Sequence, residues 1–225
     1  MTPLAAKTFL GFLWLIGMLG VALFGAAWSF DFWQAWVYIF IFVVSSALVT
    51  GYLWSRDPQL LQRRINAGPG AEKEKVQQLI HLLASVAFVS GIVLPALDHR
   101  FSWSEVPLPL VIVGEILVML GIFITFLVCQ ENTFAGATIE VVPGQQVVSS
   151  GPYRLVRHPM YSGALVMMFG TPPALGSWWG LLAFFPMVAI IIWRLFCEEE
   201  LLTAGLPGYR EYCRRVRFRL LPFIW

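Results

Sequence analysis

Residues 151–161 read GPYRLVRHPMY, and within them Arg157, His158, Pro159 and Tyr161 form a basic and aromatic group. Proline has no N–H and a fixed φ, which suits the first turn of a helix, so this stretch is expected to begin one. A helix start presents free N–H groups and a partial positive charge, ready for an anion or a polar ligand group. His158 and Tyr161 add ring faces and hydrogen-bonding edges beside it. Basic and aromatic residues also anchor helices at a membrane interface, and these residues alone leave that alternative open.

A second group follows in WRLFCEEELL, residues 193–202, where Arg194 and Glu198 stand four apart on one helical face and Glu199 and Glu200 come next. Three carboxylates near a helix C-terminus oppose the macrodipole, so something cationic must compensate them. The candidates are the arginines of the tail, through Arg210, Arg214 or Arg215, and a cationic ligand. Glu115 is ionisable within an apolar run but roughly 22 Å along the helix from Gln130, so a structural role is expected for it. His81 is read in the same way.

The elements that hold these groups are set by composition. The chain is 225 residues, 58% hydrophobic and 12% charged, with a mean hydropathy of +0.73. Those values exclude an ordinary soluble domain and indicate a polytopic, all-α membrane protein. A bilayer core requires about 20 helical residues. Six stretches approach or exceed that length: 8–28, 33–54, 77–97, 106–129, 160–176 and 178–200. Pro172, Pro173 and Pro186 fall in the last two, which are expected to form a kinked hairpin joined by Leu175, Gly176 and Ser177; five spans is the alternative count. The first stretch is expected to stay as a span and not to be cleaved as a signal.

Positively charged loops stay cytoplasmic. Lys7 precedes the first span, five cations including Lys73 lie between spans two and three, Arg154 and Arg157 precede span five, and six close the chain. That is 1 + 5 + 2 + 6, or fourteen of the fifteen Lys and Arg, with Arg100 alone on the other side. Both termini and the groups above are therefore expected at the cytoplasmic face. Cys129, Cys197 and Cys213 lack CxxC spacing, so neither a metal site nor a disulfide is expected.

One domain over 1–225 is the simplest organisation, with N-terminal membrane helices in 1–129 and the polar complexity in 130–225. Pro58 to Ile65 reads as an amphipathic stretch lying along the inner membrane surface, its arginines near lipid phosphates. The loop after Cys129 is about thirty residues long, a length usually kept for function. The tail after Gly205 carries Tyr209 and Tyr212 on an apolar side and should dock against the inner face.

Taken together, SSGPYRLVRHPMYSG, RLFCEEELL and GLPGYREYCRRVRFRLLPFIW resemble the isoprenylcysteine carboxyl methyltransferase family of integral membrane enzymes, over roughly residues 130–225. The resemblance implies methyl transfer from S-adenosylmethionine. The cofactor would lie in a cytoplasmic pocket built by the last two spans, the loop before them and the C-terminal segment, and a lipophilic acceptor would arrive from the bilayer. By position in the motif, Tyr153, His158, Pro159, Met160 and Tyr161 look like cofactor contacts. Gln145, Gln146, Val147 and Val148 look like the stretch lining it, Glu198 like the carboxylate holding it, and Arg194 like the group orienting an acceptor carboxylate. Glu199, Tyr209 and Tyr212 match family positions with either a binding or a packing role.

The tail reads GLPGY where many members read Phe-Gly before two residues and a Tyr. The acceptor therefore stays open among a prenylated thiol-acid, another lipid carboxylate, and a lipid amine or thiol. Two other classes compete: a membrane reductase of the sterol-reductase kind using NADPH, and a non-catalytic membrane protein binding lipid or a partner through its charged surface.

Overall fold

The computed structural model describes residues 3–66, 68–72 and 74–225, and among these every regular element is helical. Lys73, one of the cations used for orientation, lies outside the described residues. The helices are α1 (Pro3–Gly20), continued by a π turn at Val21–Gly25, α2 (Trp33–Arg56), α3 (Pro58–Ile65), α4 (Lys75–Phe101), α5 (Leu108–Glu131), α6 (Pro159–Ala174), α7 (Phe184–Gly205) and α8 (Tyr209–Arg215).

Among the described residues five helical stretches are long and apolar enough to cross a membrane: Leu4–Gly25, Trp33–Arg56, Lys75–Phe101, Leu108–Glu131 and Trp179–Gly205. The remaining apolar run folds as α6, only 16 residues. That is about 24 Å at helical rise, so five is the count by length and the sixth expected stretch is a short helix held against α5.

Small residues make that pairing close. A Cβ at Gly114 would stand 2.3 Å from the Ala174 nitrogen, and one at Gly121 would stand 2.5 Å from the Gly163 carbonyl oxygen. Glycine at these positions lets the two backbones meet, the usual route to tight helix pairing in lipid. α6 runs through Pro172 and Pro173 to end at Ala174, and the chain reverses at Gly176 with φ +72°. Pro186 falls in the first turn of α7, where no intrahelical N–H bond is lost, so it starts the helix and does not interrupt it.

The reversal is pinned at the end of the molecule remote from the histidine and carboxylates. Asp98 is buried at the C-terminal end of α4. It accepts from the Ser177 hydroxyl (2.5 Å), the Ser104 hydroxyl (2.5 Å) and the Ser104 N–H (2.8 Å). Glu115 is buried on α5 beside the Gly114–Ala174 contact.

α3 forms where expected, capped by Asp57, which accepts from the Leu60 N–H at 2.9 Å, with Pro58 at the first helical position. Its arginines differ from expectation. Arg63 Nη1 donates to the Thr133 carbonyl (3.0 Å) and Arg64 Nη1 to the Ala135 carbonyl (3.2 Å), so both hold the loop after α5. The tail docks through the buried Tyr209 and Tyr212 of α8. Beyond α8 it pairs with the α6 start: the Arg157 N–H donates to the Phe218 carbonyl (2.9 Å) and the His158 N–H to the Arg219 carbonyl (3.0 Å). All three cysteines are free thiols.

Candidate active site

α6 begins as its sequence dictates, with His158 at the N-cap and Pro159 as the first helical residue. The Ser162 N–H closes the first turn on the His158 carbonyl, which leaves the Met160 and Tyr161 amides as the orphan donors of the helix start. The His158 and Tyr161 rings stack with centroids 5.6 Å apart. His158 is buried, its Nε2 3.4 Å from Glu199 Oε1 and its Nδ1 3.8 Å from Glu198 Oε2.

Successive residues of α7 turn by about 100°, so the three carboxylates separate. Glu199 is compensated within the protein. Arg157 Nη1 donates to its Oε1 at 2.9 Å and Arg219 Nε to its Oε2 at 3.0 Å. Arg157 also donates to the Val216 (2.7 Å) and Cys213 (3.0 Å) carbonyls, so it staples the tail to the α6 start. The tail supplies one of these two cations, but as Arg219, where the sequence offers Arg210, Arg214 or Arg215 beside the alternative of a cationic ligand. Glu200 is exposed.

Glu198 differs from both neighbours. It accepts the Tyr161 hydroxyl at 2.5 Å, and among the described residues no arginine or lysine lies within ion-pair distance of it. The Tyr161 oxygen in turn accepts from Arg194 Nε at 3.2 Å. Arg194 and Glu198, one turn apart on α7, are thus bridged by one phenol from α6.

Arg194 is also held from a direction the motifs do not contain. Its Nη2 donates to Glu72 Oε1 (2.8 Å) and the Ala137 carbonyl (2.9 Å), and its Nη1 to Gln77 Oε1 (3.4 Å). Glu72 and Gln77 come from the α3–α4 connection and the start of α4, ahead of the region of resemblance.

These groups surround one cavity of about 290 Å³. That is close to the lower end of the range for small-molecule sites. The structure brings residues 145–148, Tyr153, 158–161, Arg194 and Glu198 to its wall, whereas Glu199 stands off it, paired with Arg157 and Arg219. Tyr209 and Tyr212 line it too, as do Asn132 and the 134–140 stretch of the long loop, none of them singled out from the motifs, and His81, which the sequence reads as structural. Glu115 lies away from it.

Tyr153 is fixed on both sides. The Asn132 amide donates to its hydroxyl oxygen at 2.8 Å, and the Tyr212 hydroxyl donates to its carbonyl at 2.9 Å. Burial pushes the Tyr153 phenol well above its ordinary pKa, so it stays protonated. The Val142 N–H donates to Gln145 Oε1 at 3.0 Å, which shapes the loop that carries 145–148.

Residues 109–206 match the phospholipid methyltransferase family. A probable protein-S-isoprenylcysteine O-methyltransferase of Oryza sativa subsp. japonica is 31% identical over 153 residues, covering 65% of this chain and 72% of the rice protein. The protein-S-isoprenylcysteine O-methyltransferase B of Arabidopsis thaliana is 30% identical over 146 residues, covering 61% and 70%. A delta(14)-sterol reductase of Mus musculus is 31% identical over 112 residues, but this covers only 26% of the reductase and 43% of this chain.

Proposed function

This chain belongs to the isoprenylcysteine O-methyltransferase family of membrane methyltransferases, and on that premise we propose that it methylates a lipophilic carboxylate, of the prenylcysteine kind, using S-adenosylmethionine. The observation that carries the reading is the joint placement of Glu198 and Arg194 on one cavity, bridged by Tyr161.

The donor set fits a cationic cofactor. Glu199 already has two guanidinium partners, whereas Glu198 meets the cavity with a phenol and a distant imidazole. A buried or half-buried carboxylate in that condition is stabilised by a cationic ligand. S-adenosylmethionine, when bound, supplies a methyl group on a sulfonium together with an ammonium charge. Glu198 would hold the cofactor, with Tyr153, His158, Pro159, Met160, Tyr161 and Gln145 to Val148 as its walls.

Arg194 would orient the acceptor. A carboxylic acid has an ordinary pKa near 4 and is ionised at neutral pH, so such an acceptor requires no general base. What the protein must supply is an aligned approach and exclusion of water from the nucleophile. Arg194 contributes the first through a charge-assisted hydrogen bond. The apolar residues around the cavity, including Ala84 of α4 and Leu202 of α7, contribute the second.

The protein is an integral membrane protein. We place the cavity and both termini at the cytoplasmic face, on the distribution of Lys and Arg. The chain works as one domain, 1–225: Glu72 and Gln77, from the N-terminal part, reach Arg194 in the C-terminal part. The likeness to a sterol reductase covers too little of that protein to favour hydride transfer.

Calorimetric titration of the purified protein with each cofactor tests the assignment. S-adenosylmethionine is expected to bind and NADPH to give no signal; NADPH binding with no S-adenosylmethionine signal would overturn it.

A further inference from the structure

Glu72 precedes α4, far in sequence from the motifs that line the cavity, yet its side chain is only 1% exposed. Three groups converge on its carboxylate. Arg194 Nη2 stands 2.8 Å from Oε1, the Ile139 N–H 3.3 Å from Oε2, and His81 Nδ1 3.4 Å from Oε1. Arg194, Ile139 and His81 line the cavity, whereas Glu72 stays behind them.

An arginine has five N–H donors. In Arg194 one on Nε goes to Tyr161, two on Nη2 go to Glu72 and Ala137, and one on Nη1 goes to Gln77. With 1 + 2 + 1 donors engaged by described residues, a single Nη1 hydrogen is left for a ligand.

We propose that Glu72 is a positioning residue for methyl transfer, which aims Arg194 and cancels its charge so that the acceptor carboxylate meets one directional N–H and not a free cation. This rests on the reading of Arg194 as the group that orients the acceptor. A free guanidinium would take a carboxylate in bidentate fashion. That grip stabilises the ionised acceptor before reaction and raises the barrier for its attack. Pairing with Glu72 keeps the orientation and removes most of the excess attraction. Through the Ile139 N–H the same carboxylate also sets where the 137–140 wall of the cavity lies relative to Arg194.

The test uses the full chain in lipid nanodiscs, with labelled S-adenosylmethionine and an N-acetylated farnesylcysteine as acceptor. Glu72→Gln keeps an oxygen acceptor for Nη2 but removes the charge. Acceptor KM is expected to fall about threefold to tenfold while kcat falls tenfold or more, with donor affinity within about twofold. Glu72→Asp, which restores the charge, is expected to recover most of kcat. A purely structural role would lower the yield of active protein and leave both constants of the survivors unchanged.

A measurement without substitution guards against misfolding of the variant. On the wild type, the acceptor and its uncharged carboxamide analogue are expected to bind within about tenfold of each other, because a paired arginine favours charge only weakly. A carboxylate preference beyond about a hundredfold would overturn the proposal. Wild-type transfer with unchanged Glu72→Gln constants overturns the role of Glu72 alone, whereas absence of wild-type transfer to the carboxylate overturns the role of Arg194 with it.

Discussion

Glu198 and Glu199 are neighbours in the chain with different surroundings, and substitution separates them. Glu199 is held by Arg157 and Arg219, both partly buried, while Glu198 meets the cavity and the Tyr161 hydroxyl. Glu199→Gln is expected to cost about 1 to 3 kcal/mol of stability by leaving two guanidinium groups short of a partner. It should show as a lower thermal midpoint, with donor affinity of the folded fraction within about threefold of wild type. Glu198→Gln should leave the midpoint nearly unchanged and weaken S-adenosylmethionine about tenfold to a hundredfold, as loss of a charged contact does. Calorimetry and thermal unfolding on the two variants decide between these outcomes. The excess of carboxylate was legible from EEE alone, because three charges at a helix end need partners. Which glutamate faces the cavity was legible only through the resemblance, which singles out Glu198, since the charges alone do not fix the rotation of α7 against α6. Glu72 was invisible for a related reason: no motif spacing joins a connection residue to an arginine 122 positions later.

At the scale of elements, α5 and α6 place the site, and their closeness depends on glycine. Gly114 and Gly121 on α5 face Ala174 and Gly163 on α6 across gaps that no side chain fits. Gly121→Val is expected to force the helices apart, lowering the thermal midpoint by several degrees and weakening donor binding, because Pro159 to Tyr161 begin the displaced helix. An equally disruptive result from Gly51→Val, where a Cβ meets nothing within 4 Å, would refute the close-approach explanation. The helix start at Pro159 and the hairpin turn at Gly176 could be read from the chain, since proline and glycine each dictate local geometry. The glycine seam carried a signal too, a seven-residue spacing in both helices at 114 and 121 and at 163 and 170. Start and turn together also bound α6 at close to its 16 residues; what an apolar run could not show is that this short helix is held against α5, with its reversal pinned by Asp98.

The whole molecule is polar at one end, where the cavity, the tail and the α3–α4 connection meet, and is tied at the other by Asp98, Ser104 and Ser177. The orientation proposed from cation placement would put the cavity end at the cytoplasm. In intact cells a cysteine introduced by Ser102→Cys should react with a membrane-impermeant maleimide, while one introduced by Glu211→Cys should react only after permeabilisation; the reverse pattern would invert the orientation. Among the described residues five helices are long enough to span, and α4, from the N-terminal part, also reaches the site through Gln77 and His81. That is why the motif region alone understates the machinery. The most direct test of the central claim is mass spectrometry of a native lipid extract incubated with the purified protein and S-adenosylmethionine carrying a deuterated methyl group. The account predicts the deuterated methyl in a lipid-soluble, base-labile ester, formed by wild type and lost in Arg194→Ala. Absence of any labelled lipid product, or a labelled ester formed equally well by Arg194→Ala, would contradict it.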